Sequence, residues 1–335
     1  MNKNGFHCEL SFLLDEADDR LMYSKGNYHK KAAILASSYS KRITDLRRAN
    51  EFDIIFIFRE ALMTRSTYFE QAFSKSKAKL IYDFDDAIWM NDTSDANRLF
   101  SWMKKPSKIA KSISCCDLVF AGNEYLKAYA SQFNEHVEVI PTTIDTHEYQ
   151  KKPSLKTDEV VVIGWSGSIT TIKHFEYAIP FLEILKKKYG SRIRIKVIGD
   201  GNYRNHDLEI QGIHWNKSSE IEELSSIDIG IMPLPDDPWA RGKCGLKGLQ
   251  YMALEIATVM SPVGVNTAII QDGVNGYLAT NTEEWVNKIS FLIENSEQRK
   301  HMGTMARQTV LASYSVDALK STYLHWFKSL TDIGE

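Results

Sequence analysis

The 335-residue chain is poor in several features that would have settled its class early. It has four cysteines, Cys8, Cys115, Cys116 and Cys244, and the adjacent pair at 115 and 116 cannot form a CxxC clip. This excludes a disulfide framework and a cysteine zinc site, and fits reduced thiols in a cytoplasmic protein. No apolar run reaches the ~18 residues that span a bilayer, and Met1-Asn-Lys-Asn4 does not open a secretory signal. A soluble chain, at most peripheral to a membrane, is expected. An excess of one charge is missing too: 41 Lys and Arg stand against 43 Asp and Glu, net −2. No global field therefore favours nucleic acid, which is not an expected partner. There is no short-period repeat and no low-complexity segment.

What remains is ordinary globular material, 43% hydrophobic and 25% charged, in a length that fits two domains. Strand patterns alternate with helix patterns from end to end. Strands are expected at Phe6–Leu14, Phe52–Phe58, Ala78–Tyr82, Asp117–Ala121 and Val137–Ile140. The run FDIIFIF at 52–58 is uninterrupted and bounded by charges, the pattern of a strand buried on both faces of a parallel sheet. Helices are expected at Tyr28–Arg48, Thr67–Ser74, Asn97–Ser114 and Glu124–Phe133. The polar segment His147–Glu159 reads as a linker. Beyond it come strands Val160–Trp165, Ile193–Ile198, Ile210–His214, Ile227–Pro233, Ala257–Pro262 and Gly276–Leu278. Between and after them lie helices ending near Tyr189, Ser225, Leu254, Gln271, Glu294, Ala312 and Leu330. Pro180 either kinks its helix or marks the helix's true first turn. The alternation predicts an α/β protein with two doubly wound parallel sheets.

Ligands of such sheets sit outside the carboxyl ends of the strands. In the second half those ends gather Gly167-Ser168, Gly199-Asp-Gly201, Pro233–Gly245 and Ser261–Gly264. Lys173 follows the first loop, and Lys243 and Lys247 flank Gly245 and Leu246, at the start of a helix. Helix N-terminal N–H groups with one or two nearby cations are what a diphosphate requires. The plainer reading leaves these glycines as turns and these lysines as solvated charges. In the first half, Asp83, Asp85 and Asp86 follow a strand. Paired carboxylates there can orient a hydroxyl and take its proton, hold a divalent cation, or cap the next helix. Arg59-Glu60 ends the neighbouring strand, as a functional or a plain surface pair, and Asn123-Glu124 opens a helix. Trp102 with Lys104, Lys105, Lys108 and Lys111 forms either a solvated helix face or a weak, salt-sensitive contact with an anionic bilayer.

The ordered set GWSGS(x)K, VIGDG, IDIGIMPL, K-x3-K-x2-QYMAL, TVMSPVGVN and DGVNGYLA resembles the nucleotide-sugar domain of group 1 (family 4 type) retaining glycosyltransferases of the GT-B fold. FIFREA, IYDFDDAIW, AGNEYL and VIPTTID are similar to one bacterial branch of that group. The resemblance implies an acceptor-binding Rossmann-like domain over 1–153, a donor-binding one over 154–314, and a C-terminal helix, 315–335, returning to the first. It implies transfer of a sugar, with retention, from a UDP- or GDP-sugar to a glycan or lipid-linked acceptor in surface polysaccharide or glycoconjugate synthesis. No cofactor beyond the substrate and no bound metal are implied. Donor contacts carry over to Gly167, Ser168, Lys173, Lys243, Gly245, Leu246, Lys247 and Gln250. Catalytic carboxylates carry over to Asp83, Asp85 and Asp86, and acceptor-side groups to Arg59, Glu60 and Asn123.

The chain also departs from the pattern. The carboxylate that takes the ribose hydroxyls is Gln250 here, whose amide oxygen still accepts hydrogen bonds at about a tenfold cost in affinity. The carboxylate that steers the sugar is Gly242, with Asp236 or Asp237 as substitutes. The phosphate arginine is Ser168, with Lys247 as a substitute cation. Glu255 stands where a glycine is usual. Family members also begin further upstream, so the first domain is expected to lack a central strand and to be the less stable half. A nucleotide-sugar-binding protein that has lost catalysis is the second reading. An NAD-dependent oxidoreductase is poorly supported, because no GxGxxG follows a strand.

Overall fold

The computed structural model describes residues 4–24, 26–90, 106–151 and 160–331. Its backbone clusters into two compact units. The first comprises Met1–Ala121, Leu126–Val139 and Phe327–Glu335, and the second Gly122–Tyr125 and Ile140–Trp326. The second unit thus begins at 140, ahead of the expected boundary at 153, and only the end of the C-terminal helix groups with the first. Most of the expected linker, 152–159, and the stretch 91–105 with Trp102, Lys104 and Lys105 lie outside the described residues.

In the first unit, helices α1 (Glu16–Tyr23) and α2 (Tyr28–Arg48) precede β1 (Ile54–Phe58), followed by α3 (Tyr68–Phe73), β2 (Lys79–Phe84), α4 (Pro106–Ser114), β3 (Leu118–Ala121), α5 (Glu124–Ala130) and β4 (Val137–Val139). The four strands form one parallel sheet in sequential order. Two expectations fail here. Phe6–Leu14 is not a strand: Leu10 and Phe12 are exposed, and the backbone oxygens of Ser11, Phe12 and Leu13 accept from Arg42, Lys41 and Ser38 of α2. Side chains of a helix thus satisfy groups that a sheet ladder would otherwise pair. Strand β1 is not buried on both faces either. It ends the described sheet, with Phe56 and Phe58 exposed, and Phe56 packs edge-on against Phe327.

The second unit carries β5 (Val161–Ser166), α6 (Ile172–Phe175), α7 (Ile179–Tyr189), β6 (Ile193–Gly199), β7 (Arg204–Asn205), β8 (Ile210–Gln211), β9 (Ile213–His214), α8 (Glu220–Ser225), β10 (Ile229–Met232), α9 (Pro238–Arg241), α10 (Leu246–Ala253), β11 (Ala257–Met260), α11 (Asn266–Ile269), β12 (Tyr277–Leu278), α12 (Thr282–Glu294), α13 (Ser296–Ser313) and α14 (Val316–Thr331). Pro180 falls in the first turn of α7, where its missing N–H costs nothing. The single strand expected at 210–214 splits into β8 and β9, and β8 pairs antiparallel with β7 in a separate ribbon.

The main sheet is parallel in the order β12-β11-β10-β5-β6-β9. Strands β5, β10 and β11 are buried at every residue, which is why they read as unbroken apolar runs. Phe181 of α7 stacks on Trp285 of α12 at 4.6 Å within one core cluster. Leu249, Met252 and Ala253 of α10 join Ala306 and Val310 of α13 in another. The chain runs from β5 outward through β6 to β9, then returns to build β10, β11 and β12 on the other side of β5. Between β5 and β10 the order reverses, and a doubly wound sheet opens its ligand crevice at that reversal.

Glu255 has φ +55, a left-handed backbone that accounts for the glycine usual at this position. Lys151 at 3.7 Å and Arg307 at 3.9 Å face its carboxylate. Arg307 also donates to the backbone oxygens of Tyr149 and Ala253, tying α13 to the end of α10.

Candidate functional site

The two loops that leave β5 and β10 at the reversal hold most of the donor-side residues. After β5, Gly167 donates its N–H to Ile198 O at 3.0 Å. Opposite, Gly199 has φ +141, and a Cβ there would lie 2.5 Å from Gly167 O. Close approach of the two loops therefore requires glycine at 199. Ser168 closes its own turn, sharing hydrogen bonds with Thr170 and Thr171 in a capping box. Its hydroxyl is committed locally, and Lys173 lies exposed on the short helix α6 that follows.

The loop after β10 is built by local caps. Asp237 accepts from Ala240 N at 2.7 Å and starts α9. Asp236 pairs with Arg241 through contacts of 2.6 and 3.0 Å. Both substitute carboxylates for Gly242 are thus engaged in the loop's own architecture. Lys243 sits 5.0 Å over the Trp239 ring. Asn123, 4% exposed, donates its amide to Gly242 O at 3.3 Å and Lys243 O at 3.1 Å. Gly122–Tyr125 groups with the second unit, so the structure places Asn123 against the donor-side loop. Gly245 takes φ +74 as the N-cap of α10 and offers no side chain to cap the first-turn N–H groups. An uncapped helix start, with Lys243 before it and Lys247 in its first turn, is receptive to an anion. Leu246 is exposed beside it.

One network then joins these loops to residues that carry no motif. Trp215 donates its backbone N–H to Gly199 O at 3.4 Å, and its indole Nε1–H to Glu220 at 2.9 Å. Tyr149 donates its hydroxyl to Glu220 at 2.8 Å. Gln250 donates Nε2–H to the Tyr149 oxygen at 2.6 Å and to Glu220 at 3.3 Å, and Lys247 Nζ lies 3.8 Å from the same carboxylate. Burial pushes the Glu220 carboxyl up, but the bonds from Trp215 and Tyr149 and the Lys247 charge outweigh it and hold the group below its ordinary value. Burial lowers the Lys247 pKa, against the pull of Glu220. A further tie comes from Ser166, whose N–H donates to the Tyr251 hydroxyl at 2.6 Å, locking α10 to the end of β5. Gly167, Gly245, Lys247 and Gln250 therefore belong to one connected structure. Lys173 and Lys243 stand on its adjoining loops.

In the first unit, Arg59 donates to Asp85 at 2.7 Å and to Asp86 at 2.8 Å. Arg59 itself sits at φ +61, its N–H donating to Asp83 O at 2.8 Å and its carbonyl accepting from the Tyr82 hydroxyl. Three carboxylates and one guanidinium thus meet at the ends of β1 and β2. Burial, then the neighbouring Asp85 charge, push Asp83 up to about 7, with Arg59 opposing. Glu60 pairs instead with Lys108 at 2.9 Å. Lys108, expected on a solvated or membrane-facing helix side, is 3% exposed and also reaches Leu62 O at 2.6 Å and buried Glu70 at 3.8 Å. The reason is a charge requirement: Glu70 is 1% exposed, and no other cation is placed beside it by the described contacts.

Tyr149, Trp215 and Glu220 were not legible as site residues. Glu220 is one of three acids in the segment Glu220–Glu223, and nothing local separates it from its neighbours.

Residues 160–295 match the family model described as glycosyl transferases group 1. This segment is similar to the group 1 glycosyltransferases. The chain as a whole has the GT-B fold. It superposes on HepE from Anabaena, solved with UDP and glucose, with a TM-score of 0.66 at 16% identity, over 87% of this chain and 81% of that one. Sucrose-phosphate synthase from Thermosynechococcus elongatus gives 0.67 at 12% identity, over 90% and 79%. TarM gives 0.65 at 15% identity, over 86% of this chain and 58% of that one. No curated protein sequence matches the chain. Within residues 160–295, the reversal between β5 and β10 is where the expected donor-side loops converge. Among the described residues no helix is long and apolar enough to cross a membrane.

Proposed function

We propose that the protein transfers a sugar, with retention, from a nucleoside diphosphate sugar to a glycan or lipid-linked acceptor. The observation that carries this reading is the connected network at the β5–β10 reversal. It sets an uncapped helix start and Lys247 beside a carboxylate and a carboxamide. That arrangement suits a diphosphate joined to a hydroxylated sugar. HepE, solved with UDP-glucose, and TarM, solved with UDP, share the fold and support this substrate class. On this reading Lys243, Lys247 and Lys173 neutralise the diphosphate. The donor's own phosphate helps to take the acceptor proton. Asp83, Asp85, Asp86 and Arg59 orient the acceptor hydroxyl, and the protein works in the cytoplasm without a resident metal.

The test is a thermal-shift panel of UDP, GDP, ADP and their sugars, because a ligand that binds only the folded state raises its melting temperature. A rise with one nucleotide family, followed by release of that nucleotide in the presence of acceptor, is the expected result. A flat panel refutes it. A second reading, binding without transfer, is favoured by Gly242 in place of a carboxylate and by the prior engagement of Asp236 and Asp237. It predicts the thermal shift without nucleotide release.

A further inference from the structure

The Gln250 side chain is 4% exposed, and while its Nε2 is spoken for, its Oε1 is buried without a partner. A buried orphan acceptor is costly and therefore rare. Beside it stands Glu220, whose two oxygens offer about four acceptor positions. Trp215 and Gln250 use the two on Oε1, and Tyr149 uses one on Oε2. One acceptor position on Glu220 and the unpartnered Oε1 of Gln250 are left, so each group can take one of the two donors of a vicinal diol.

Their placement along α10 points to which diol. Lys247 and Gln250 are three residues apart and so share a helix face. At ~1.5 Å rise per residue, Gln250 lies roughly 7.5 Å beyond the uncapped N-terminus at Gly245. A diphosphate seated at that N-terminus places the adjoining ribose about there. Glu220 reaches the same point from α8, thirty positions earlier in the chain. We propose that Glu220 supplies the carboxylate that takes the ribose hydroxyls of the bound nucleotide, with Gln250 as its neutral partner. This deepens, and rests on, the nucleotide-sugar reading above.

The geometry also explains why position 250 is an amide. A glutamate there would set two carboxylates in contact at the 3.3 Å now spanned by an N–H···O bond. Glutamine instead supplies the donor that Glu220 accepts. The negative charge sits on α8, and α10 contributes the amide.

The experiment compares UDP and GDP with their 2′-deoxy counterparts by isothermal titration, on the parent chain, Glu220→Gln, Gln250→Glu and the double exchange. The parent should prefer the ribo form by about tenfold, one charged hydrogen bond's worth. Glu220→Gln should bind ribo and deoxy forms alike, with deoxy affinity unchanged. Gln250→Glu should weaken both, and the double exchange should restore the ribo preference. Retained ribo preference in Glu220→Gln overturns the proposal, as does an equal loss for both forms accompanied by a fall in melting temperature. If the parent binds none of the four nucleotides, the nucleotide-sugar reading falls first and this proposal with it.

Discussion

The two units each gather charged side chains at the carboxyl ends of parallel strands, yet they balance them in opposite ways. In the first, one guanidinium bonds Asp85 and Asp86, and beside them burial and then the Asp85 charge drive Asp83 towards neutrality. In the second, Glu220 is, among the described residues, the one carboxylate in its network, and it meets a lysine, a carboxamide, a phenol and an indole. That network adjoins a helix start with no cap. On the proposed function, the first arrangement handles protons and hydroxyls, and the second receives an anion. The difference follows from which partners are fixed. Arg59 is consumed by its own strand ends, whereas the lysines of the second unit border helix N–H groups that remain open to a ligand.

The comparison can be broken most forcefully at Lys108. Removing one partner of a buried pair leaves an uncompensated charge, so Lys108→Ala should cost the first unit about 3–5 kcal/mol in denaturant unfolding. Nucleotide affinity of the second unit should stay as in the parent. Coupled loss of both would show that the two networks are not independent.

Next in size is Lys247→Ala, which removes a cation from the anion-receptive end. The expected loss is about 1.5–3 kcal/mol, the range of a charged hydrogen bond, or roughly 10- to 100-fold in UDP or GDP affinity by calorimetry. An unchanged affinity would move the diphosphate away from α10.

Asp83 allows a subtler measurement. Its folded pKa of about 7 lies above the ordinary aspartate value, so the folded state holds the proton more tightly. Its contribution to stability is full below about pH 4 and is lost as pH rises to about 7. Asp83→Asn should therefore gain melting temperature over the parent at pH 8 and not at pH 4. A difference that does not vary with pH would remove the titration from this residue. The smallest effect is expected at Asp236, whose pair with Arg241 is solvent-exposed. Asp236→Ala should leave the melting temperature unchanged, and a change in preference among nucleotide sugars would return it to the role of sugar-steering carboxylate.

The strands of the second unit were largely legible because the central ones, β5, β10 and β11, are buried on both faces, and such strands announce themselves as apolar runs. The same logic misled at Phe6–Leu14, where an alternating apolar pattern found side-chain donors on α2 in place of a neighbouring strand. It also overstated the burial of β1, since the run at 52–58 reports composition and cannot report that one side ends the described sheet. Lys108 was misread for a related reason: a lysine on an amphipathic helix is normally solvated, and only the buried Glu70 across from it reverses that rule.

The sequence by itself determined that the chain alternates strands with helices in two α/β halves. It also located the glycine- and lysine-bearing loop from Pro233 to Gly245 that leads into α10. Those properties are written in periodicity and in residues next to one another. Only the tertiary structure decided that Glu220 meets Gln250 and Lys247, that Arg59 closes on Asp85 and Asp86, and that Asp83 is the carboxylate driven up. Charge balance in a protein is settled through space, over a few ångströms, between residues whose separation along the chain carries no trace of it.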